Sequence, residues 1–142
     1  MHIEGSMNIR KYQHTDYASL ISLWSTVFPD DPPHNEPSIV IQEKLTVDDL
    51  IFVAENESEL VGACMAGYDG HRGWLYAVAV LEEQRRNGTG ALLVNQAMET
   101  LKEIGCIKVN LQIRSTNTQV EKFYKSLGFF TEDRLSMGAF IE

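Results

Sequence analysis

The run Arg85-Arg86-Asn87-Gly88-Thr89-Gly90 has the residue types of an anion-binding loop. It follows a strand-like apolar segment and precedes a long helical pattern. The first N–H groups of a helix lack intrahelical partners, and the helix dipole adds partial positive charge there. Glycines let backbone approach a ligand closely, and arginines add charged donors. The sequence predicts a pyrophosphate site here, with a tight turn that binds nothing as the alternative.

Two well-known phosphate motifs do not fit this loop. A dinucleotide fingerprint needs a third glycine where the sequence has Leu93, and the Gly-Lys-Ser/Thr ending of a P-loop is missing. The loop instead resembles the Gln/Arg-x-x-Gly-x-Gly/Ala signature of the GNAT acetyltransferases, with Arg86 where the family commonly has glycine. The resemblance implies that the loop binds the pyrophosphate of acetyl-coenzyme A through Arg85, Arg86, Asn87, Gly88, Thr89 and Gly90.

The segment before the loop, Val78-Ala79-Val80, resembles the end of the fourth strand in that family. In the family this strand splays from the next one, and its exposed backbone groups pair with the pantetheine arm and the acetyl carbonyl. The resemblance implies these backbone roles for Val78 and Val80.

A second family pattern, Asn-x-x-Ala-x-x-x-Tyr-x-x-x-Gly-Phe, is matched between Asn117 and Phe129, with Val120 in place of alanine. The resemblance implies that Asn117 contacts the coenzyme and that the Tyr124 hydroxyl lies near the thioester sulfur. A phenol with a pKa of about 10 can protonate a leaving thiolate whose pKa is near ~8.5. The alternative is that Tyr124 only packs on an apolar stripe.

Attack on the thioester requires an amine that has lost a proton, so a base is expected. The family often places a glutamate on the fourth strand, and this chain has no acid there. Asp69 and His71 are the first candidates, because their loop leads into that strand, and Glu36 and Glu82 are others. Each of the four is also explained as an ordinary loop or surface residue.

The acceptor side is expected to come from the first two helices and their connection, where Trp24, His34 and Asn35 could line a cleft; Trp24 is equally a core candidate. The net charge is −8, and residues 1–60 contain 11 acidic and 3 basic side chains, against nine of each in residues 61–142. This disfavours nucleic-acid binding. It indicates either a solvated acidic surface or a field that attracts a cationic acceptor.

The 142 residues fit one domain. No apolar run approaches the ~18 residues of a membrane span, and no signal segment opens the chain, so a cytoplasmic protein without membrane partners is expected. Met1 to Ser6 precede a second methionine and are taken as a cloning leftover, which leaves residues 7–142 as the domain. Cys64 and Cys106 are predicted to be core or near-core thiols, and the histidine spacing predicts no metal site.

Apolar periodicity predicts the order β-α-α-β-β-β-α-β-α-β-β. The fold class is α+β, with a GNAT-like, mostly antiparallel sheet, a splayed central strand and about four covering helices. The predicted elements are a first strand at 8–12, helices from Thr15 and at 38–44, strands at 50–54, 60–66, 74–80 and 107–113, helices at 88–104 and from Asn117, and two strands within 129–140.

The function predicted is transfer of an acetyl group from acetyl-coenzyme A to a primary amine of a small or peptidic acceptor, by direct attack in a ternary complex. The alternatives are an acyl-coenzyme A-binding module without turnover and a purely structural interaction domain. The sequence does not identify the acceptor and leaves a homodimer open.

Overall fold

The structure, a computed structural model, describes residues 7–30 and 32–141. Met1 to Ser6, Asp31 and Glu142 lie outside the described residues. The chain forms two compact units, residues 1–111 and 112–142. The single domain over residues 7–142 therefore stays a prediction.

The described part of the first unit contains a five-stranded sheet. Its strands are β1 (Met7–Lys11), β2 (Ile51–Asn56), β3 (Glu59–Tyr68), β4 (Gly73–Val80) and β5 (Val109–Asn110). They lie in sequence order across the sheet, and of the strand pairs in the described residues only β4–β5 is parallel. The middle strand, β3, is buried without interruption from Val61 to Ala66. β4 lies between β3 and β5, inside the sheet, and the predicted mixed, mostly antiparallel sheet is confirmed.

Helices pack on both sides of this sheet, because successive strand side chains alternate between its faces. The helices are α1 (Tyr17–Val27), α2 (Pro37–Val47) and α3 (Thr89–Glu103), and short 3-10 turns lie at His14–Asp16, Pro33–Asn35 and Glu82–Gln84. α1 and α2 pack around a buried cluster that includes Leu20, Ile41 and Met65. On the other face, a Cβ added at Gly62 would lie 2.9 Å from Leu93 Cδ1 of α3. Glycine therefore permits the close approach of α3 to β3.

Two predicted helix ends need correction. α1 begins at Tyr17 rather than after a Thr15 cap, since Asp16 folds back and accepts hydrogen bonds from Arg10 and from the Gln13 N–H. In α3, the predicted stripe of Leu93, Ala97 and Leu101 is fully buried. Ile104, predicted to belong to that stripe, is 50% exposed, because it is already the C-cap residue.

The strand predicted at 107–113 is also much shorter than expected. Of the described residues in that predicted strand, only Val109 and Asn110 pair with β4, opposite Gly73 and Trp74. Ile107 is 96% exposed. The short pairing leaves most of β4 without a strand partner on the β5 side, within the residues that the structure describes, which agrees with the splayed strand expected.

The second unit contains α4 (Thr118–Ser126). The two strands predicted within 129–140 are wrong, since no strand is present in residues 112–141. Polar residues Thr131 to Arg134 and Gly138 interrupt that segment, and a strand persists only as part of a hydrogen-bonded ladder. Across the described residues of both units, no helix has the length and apolar character needed to span a bilayer.

Candidate active site

The connection between β4 and α3 ends in a left-handed residue, Gly88. Gly88 is the N-cap residue of α3 and has φ +76°, a conformation that glycine adopts without steric cost. Apart from Gly88 and its two chain neighbours, no described residue has an atom within 4 Å of the position that a Cβ would occupy there. The first bond of the helix joins the N–H of Leu92 to the carbonyl of Gly88 at 3.0 Å. The N–H groups before Leu92 are thus the orphan donors of a helix start, beside an open space.

Side chains of the same loop hold its shape. Arg85 donates from Nε to the carbonyl oxygen of Val80 at 3.0 Å. Asn87 donates from Nδ2 to Gln84 Oε1 at 2.8 Å. Both Arg85 and Arg86 remain exposed. The loop therefore combines a fixed backbone with cationic side chains in solvent, which suits a phosphate-bearing ligand.

Thr89 differs from its neighbours in the loop. It is fully buried, and its methyl group would lie 3.3 Å from a Cβ at Gly62. Its Oγ1 has no hydrogen-bond partner among the described residues. The Thr89 side chain packs α3 against β3, and its predicted part in coenzyme binding remains a prediction.

β4 contains a bulge beside this loop. Ala63 pairs with Ala79 and Met65 with Tyr76, so β3 has one residue between these pairs and β4 has two, Ala77 and Val78. Ala77 has φ +49°, which places a non-glycine residue in the left-handed region. The bulge falls in the stretch of β4 that β5 does not pair. Val78 lies in the bulge, whereas Val80 follows it in regular register opposite Gly62. The backbone roles implied for these two valines remain predictions.

A hydrogen bond from α1 holds the bulge, and the sequence did not predict it. Trp24 Nε1 donates to the carbonyl oxygen of Ala77 at 3.0 Å. Trp24 is 3% exposed and belongs to the core cluster, so of its two predicted locations the structure supports the core. The apolar periodicity of α1 indicated burial, but no sequence signal indicated a partner 53 residues away.

The loop before β4 is organised by Asp69. Its Oδ1 accepts hydrogen bonds from the backbone N–H groups of Arg72 at 2.7 Å and His71 at 2.8 Å. These bonds hold the pKa of Asp69 below its ordinary value, because they favour the charged form. His71 is exposed. The structure thus brings the two predicted base candidates into one turn, with Asp69 ionised.

A cavity of about 240 Å³ opens between the end of α1 and the start of α2. Its lining consists of Ser25, Phe28, Pro29, Pro32, Pro33, Asn35, Glu36 and Pro37. The Glu36 carboxylate caps α2 by accepting from the Ile39 N–H at 3.3 Å and from the Ser38 hydroxyl. The Ser38 bond is the main reason that the pKa of Glu36 is lowered. Asn35 lines this cavity and His34 is not among its lining residues. The part predicted for these two residues in an acceptor cleft remains a prediction.

The other predicted catalytic side chain lies in the second unit. Tyr124 is buried on α4, and its ring meets those of Phe123 and Phe129 edge-on at centroid distances of 5.0 and 5.4 Å. Asn117 caps α4, since its Oδ1 accepts from the Val120 N–H at 3.2 Å. The roles implied for Tyr124 and Asn117 remain predictions.

The cysteines agree with their expected burial. Cys64 is fully buried, and burial raises the pKa of its thiol to about 12; Cys106 is half-buried. Within residues 7–30 and 32–141, no group of three or more histidine, cysteine or acidic side chains could hold a metal ion.

Known proteins resemble this chain in sequence and in fold. Residues 17–129 match the profile described as "Acetyltransferase (GNAT) family". An acetyltransferase of Sodalis glossinidius is 38% identical over 130 residues, which cover 89% of each protein. An acetyltransferase of Pectobacterium atrosepticum is 36% identical over 135 residues, 93% of this chain and 94% of that protein.

Two solved structures share the fold. Aminoglycoside N-acetyltransferase AAC(6')-Iy in complex with CoA has a TM-score of 0.79 and 20% identity, over 94% of this chain and 93% of that one. Ard1 from Thermoplasma volcanium has a TM-score of 0.78 and 21% identity, over 88% and 83%. At these identities the likeness concerns the fold.

Proposed function

The chain belongs to the GNAT family and is an acetyltransferase, and from this premise we propose that it moves the acetyl group of acetyl-coenzyme A onto the primary amine of a small or peptidic acceptor. The observation that carries the proposal is the start of α3, where a left-handed Gly88 leaves open space beside orphan helix N–H groups. Solved proteins of the same fold include one in complex with CoA, which supports an acyl-coenzyme A as donor.

The residues of the loop fit the coenzyme's anionic end. Helix N–H groups and the exposed Arg85 and Arg86 would bind the pyrophosphate, and Gly88 would let the backbone approach it. The backbone of Val78 and Val80, in the stretch of β4 that lacks a strand partner, would pair with the pantetheine arm and the acetyl carbonyl. In the second unit, Asn117 would add a coenzyme contact, as the family resemblance implies.

The reaction proposed is direct aminolysis. The amine lone pair attacks the carbonyl carbon, the new C–N bond forms, and the C–S bond breaks with its electron pair on sulfur. Tyr124 donates its hydroxyl proton to that sulfur, and the proton lost by the amine regenerates the phenol through solvent. An acid of this kind contributes roughly 10²–10⁴-fold to the rate.

On the acceptor side, we propose that His71 removes the first proton from the acceptor's ammonium group. Asp69 orders the turn that contains His71. Two backbone N–H groups already occupy Asp69 Oδ1, which makes this carboxylate a weaker base. His71→Gln should lower kcat while leaving coenzyme affinity unchanged, because the acceptor amine would lack its general base. Wild-type kcat in this variant would move the base elsewhere.

The acceptor proposed is cationic and enters by the connection between α1 and α2. The cavity there is lined by Glu36 and by apolar Phe28 and prolines. This lining suits an amine with a hydrocarbon chain, since the ammonium group could pair with the carboxylate while the chain packs on the apolar surface.

Release of free thiol from acetyl-coenzyme A across a panel of amines tests the proposal. Calorimetric titration of the same protein with acetyl-coenzyme A supplies the second measurement. Turnover with at least one amine is the expected result. Binding without turnover on any amine would instead establish an acyl-coenzyme A-binding module, and absence of binding would reject both functions.

A further inference from the structure

The bulge in β4 places alanine where glycine is usual. In bulges with two residues opposite one, a first residue in the left-handed region is normally glycine. Ala77 has φ +49° at that position. A left-handed non-glycine residue costs on the order of 1–3 kcal/mol and persists only where its surroundings hold it. Some contact must therefore compensate for the strain at Ala77.

Trp24 makes that contact. Its indole N–H lies 3.0 Å from the carbonyl oxygen of Ala77. Trp24 is 3% exposed, and a hydrogen bond shielded from water is stronger than an exposed one. The indole ring also packs in the core cluster with Leu20 and Leu23. The donor is therefore fixed on a rigid helix, and it holds the strained peptide from the face of the sheet that α1 covers.

The same bond sets the direction of the next N–H. The described chain contains no cis peptide bond, and in a planar trans peptide the C=O and the following N–H point in opposite directions. Because the Ala77 carbonyl is directed to Trp24, the N–H of Val78 is directed away from it. Val78 has no Cα partner in the β3–β4 register, and β4 pairs with β5 only at Gly73 and Trp74.

We infer that Trp24 is a positioning residue: by holding the carbonyl of Ala77, its indole N–H keeps the β4 bulge in the form that presents the Val78 N–H to the acyl-coenzyme. The inference rests on the proposed function, in which the Val78 backbone pairs with the donor. Trp24 itself touches no reacting atom.

The test is a double-mutant cycle between Trp24 and Ala77, read by titration with acetyl-coenzyme A. Trp24→Phe keeps an aromatic ring and removes the N–H, and should weaken binding about five- to tenfold, the range expected for one hydrogen bond. Ala77→Gly removes the penalty of the left-handed conformation. In the double variant, Ala77→Gly should restore at least half of the affinity lost in Trp24→Phe, measured on a logarithmic scale. As a single variant with Trp24 in place, Ala77→Gly should change affinity less than about twofold.

Tyr17→Phe is the matched control on the same helix. It removes a hydroxyl that accepts a hydrogen bond from Gln42 of α2 and leaves the bond between Trp24 and Ala77 in place, so acetyl-coenzyme A affinity should stay unchanged. The amide resonance of Val78, recorded without ligand, should move in Trp24→Phe and return toward its wild-type position in the double variant.

Each outcome decides the inference. A folded Trp24→Phe protein with wild-type affinity, or a loss that Ala77→Gly does not repair, would reduce Trp24 to a packing residue. Failure of both Trp24→Phe and the double variant to fold would have the same meaning. A wild-type protein that does not bind acetyl-coenzyme A would overturn the proposed function itself, and this inference with it.

Discussion

Arg85 and Val80 are joined by a hydrogen bond from the guanidinium Nε to the carbonyl oxygen, 3.0 Å long, which ties the candidate pyrophosphate loop to the end of β4. A guanidinium can make this bond and still present its two terminal nitrogens to a phosphate, because it has five donors in a rigid fork. Arg85 can thus serve the backbone and the ligand together. Arg86, its neighbour in the loop, is exposed and would serve the ligand through its charge.

Replacement of these two arginines by lysine should therefore have unequal effects. Arg85→Lys loses the bond to Val80 and the fork geometry, and should weaken acetyl-coenzyme A by about 1.5–2 kcal/mol. Arg86→Lys keeps the charge and should cost less than about 0.5 kcal/mol. Calorimetric titrations of the two variants compare them directly. Equal losses would mean that Arg85 acts only through its charge.

Gly88→Val should block the backbone approach and weaken acetyl-coenzyme A by at least ~1.4 kcal/mol, a factor of ten. The variant should also lose stability, because a β-branched valine is sterically disfavoured at the φ of +76° that Gly88 adopts. Gly105→Val is the matched control, since Gly105 follows α3 at φ +101° and a Cβ there would also lie more than 4 Å from every described residue other than its chain neighbours. Similar stability losses with an affinity loss only at Gly88 are expected. Unchanged affinity in a folded Gly88→Val protein would reject the loop as the coenzyme site.

Tyr124→Phe should lower kcat by roughly 10²–10⁴-fold if the phenol is the acid. Coenzyme affinity should change little, because the ring keeps its edge-on contacts with Phe123 and Phe129. Tyr68→Phe is the control: it removes a hydroxyl bonded to the Gly105 carbonyl at 3.3 Å and should leave kcat alone. Wild-type turnover in Tyr124→Phe would leave packing as the role of this tyrosine.

The parts of the fold that the sequence predicted are local ones. Orphan N–H groups, glycine and charge act within a few residues, so the loop signature located the start of α3 to within one residue of Thr89. The parts it missed depend on distant partners. The bulge at Ala77 is held by Trp24, and β5 is limited to the two residues that reach Gly73 and Trp74. Periodicity reports which residues are buried, and does not report which donor meets which acceptor.

The same limit explains the error at the start of α1. Threonine at position 15 has a good N-cap side chain, yet Asp16 is the residue before the helix. Its carboxylate is held by Arg10 of β1, with Nη1–Oδ2 at 2.8 Å and Nη2–Oδ1 at 2.9 Å. The Asp16 carboxylate accepts two hydrogen bonds from Arg10 and one from the Gln13 N–H. These three bonds stabilise the observed start of α1 more than a single capping bond from Thr15 would.

Asp16→Asn should accordingly destabilise the protein, by about 2 kcal/mol at neutral pH. The hydrogen bonds from Arg10 hold the pKa of Asp16 below its ordinary 3.8, so the ionised pair is the stable form in the folded protein. Its contribution is complete above that value and is lost as the pH falls through the lowered folded-state pKa. Urea unfolding at pH 7 and at successively lower pH should show the wild-type advantage over Asp16→Asn shrinking in that acid range.

Asp49→Asn provides the comparison for that experiment. Asp49 also pairs with a cation, Lys11, at 3.0 Å, but its side chain is 71% exposed. An exposed pair contributes about 0–1 kcal/mol, so this variant should be near neutral. Equal losses at the two positions would assign the effect to overall charge rather than to the Arg10–Asp16 pair.

The excess acid of residues 1–60 is the basis of the last prediction, which concerns the acceptor. Three cations in this half are paired: Arg10 with Asp16 and Glu55, Lys11 with Asp49, and Lys44 with Asp48. Among the described residues of this half, the acids outside these pairs include Glu36, which lines the cavity, and Asp30, which directly follows the lining residue Pro29. They also include Glu57 and Glu59 at the turn between β2 and β3. Asp31, the next acidic residue after Asp30, lies outside the described residues.

If the acids near the cavity attract the acceptor, kcat/KM for a polyamine should fall as salt rises, since the field acts over a Debye length of ~8–10 Å at physiological ionic strength. An uncharged amino ester should respond weakly. Neutralising Asp30 and Glu36 together, as Asp30→Asn and Glu36→Gln, should flatten the polyamine's salt dependence, and glutamine can still accept the capping bond of α2. The pair Glu57→Gln and Glu59→Gln makes the same change in net charge away from the cavity and should leave the slope unaltered. Parallel salt curves for the polyamine and the amino ester would show that the acids do not attract the acceptor. If both double substitutions flatten the polyamine's curve equally, the attraction comes from the net charge of residues 1–60 rather than from Asp30 and Glu36.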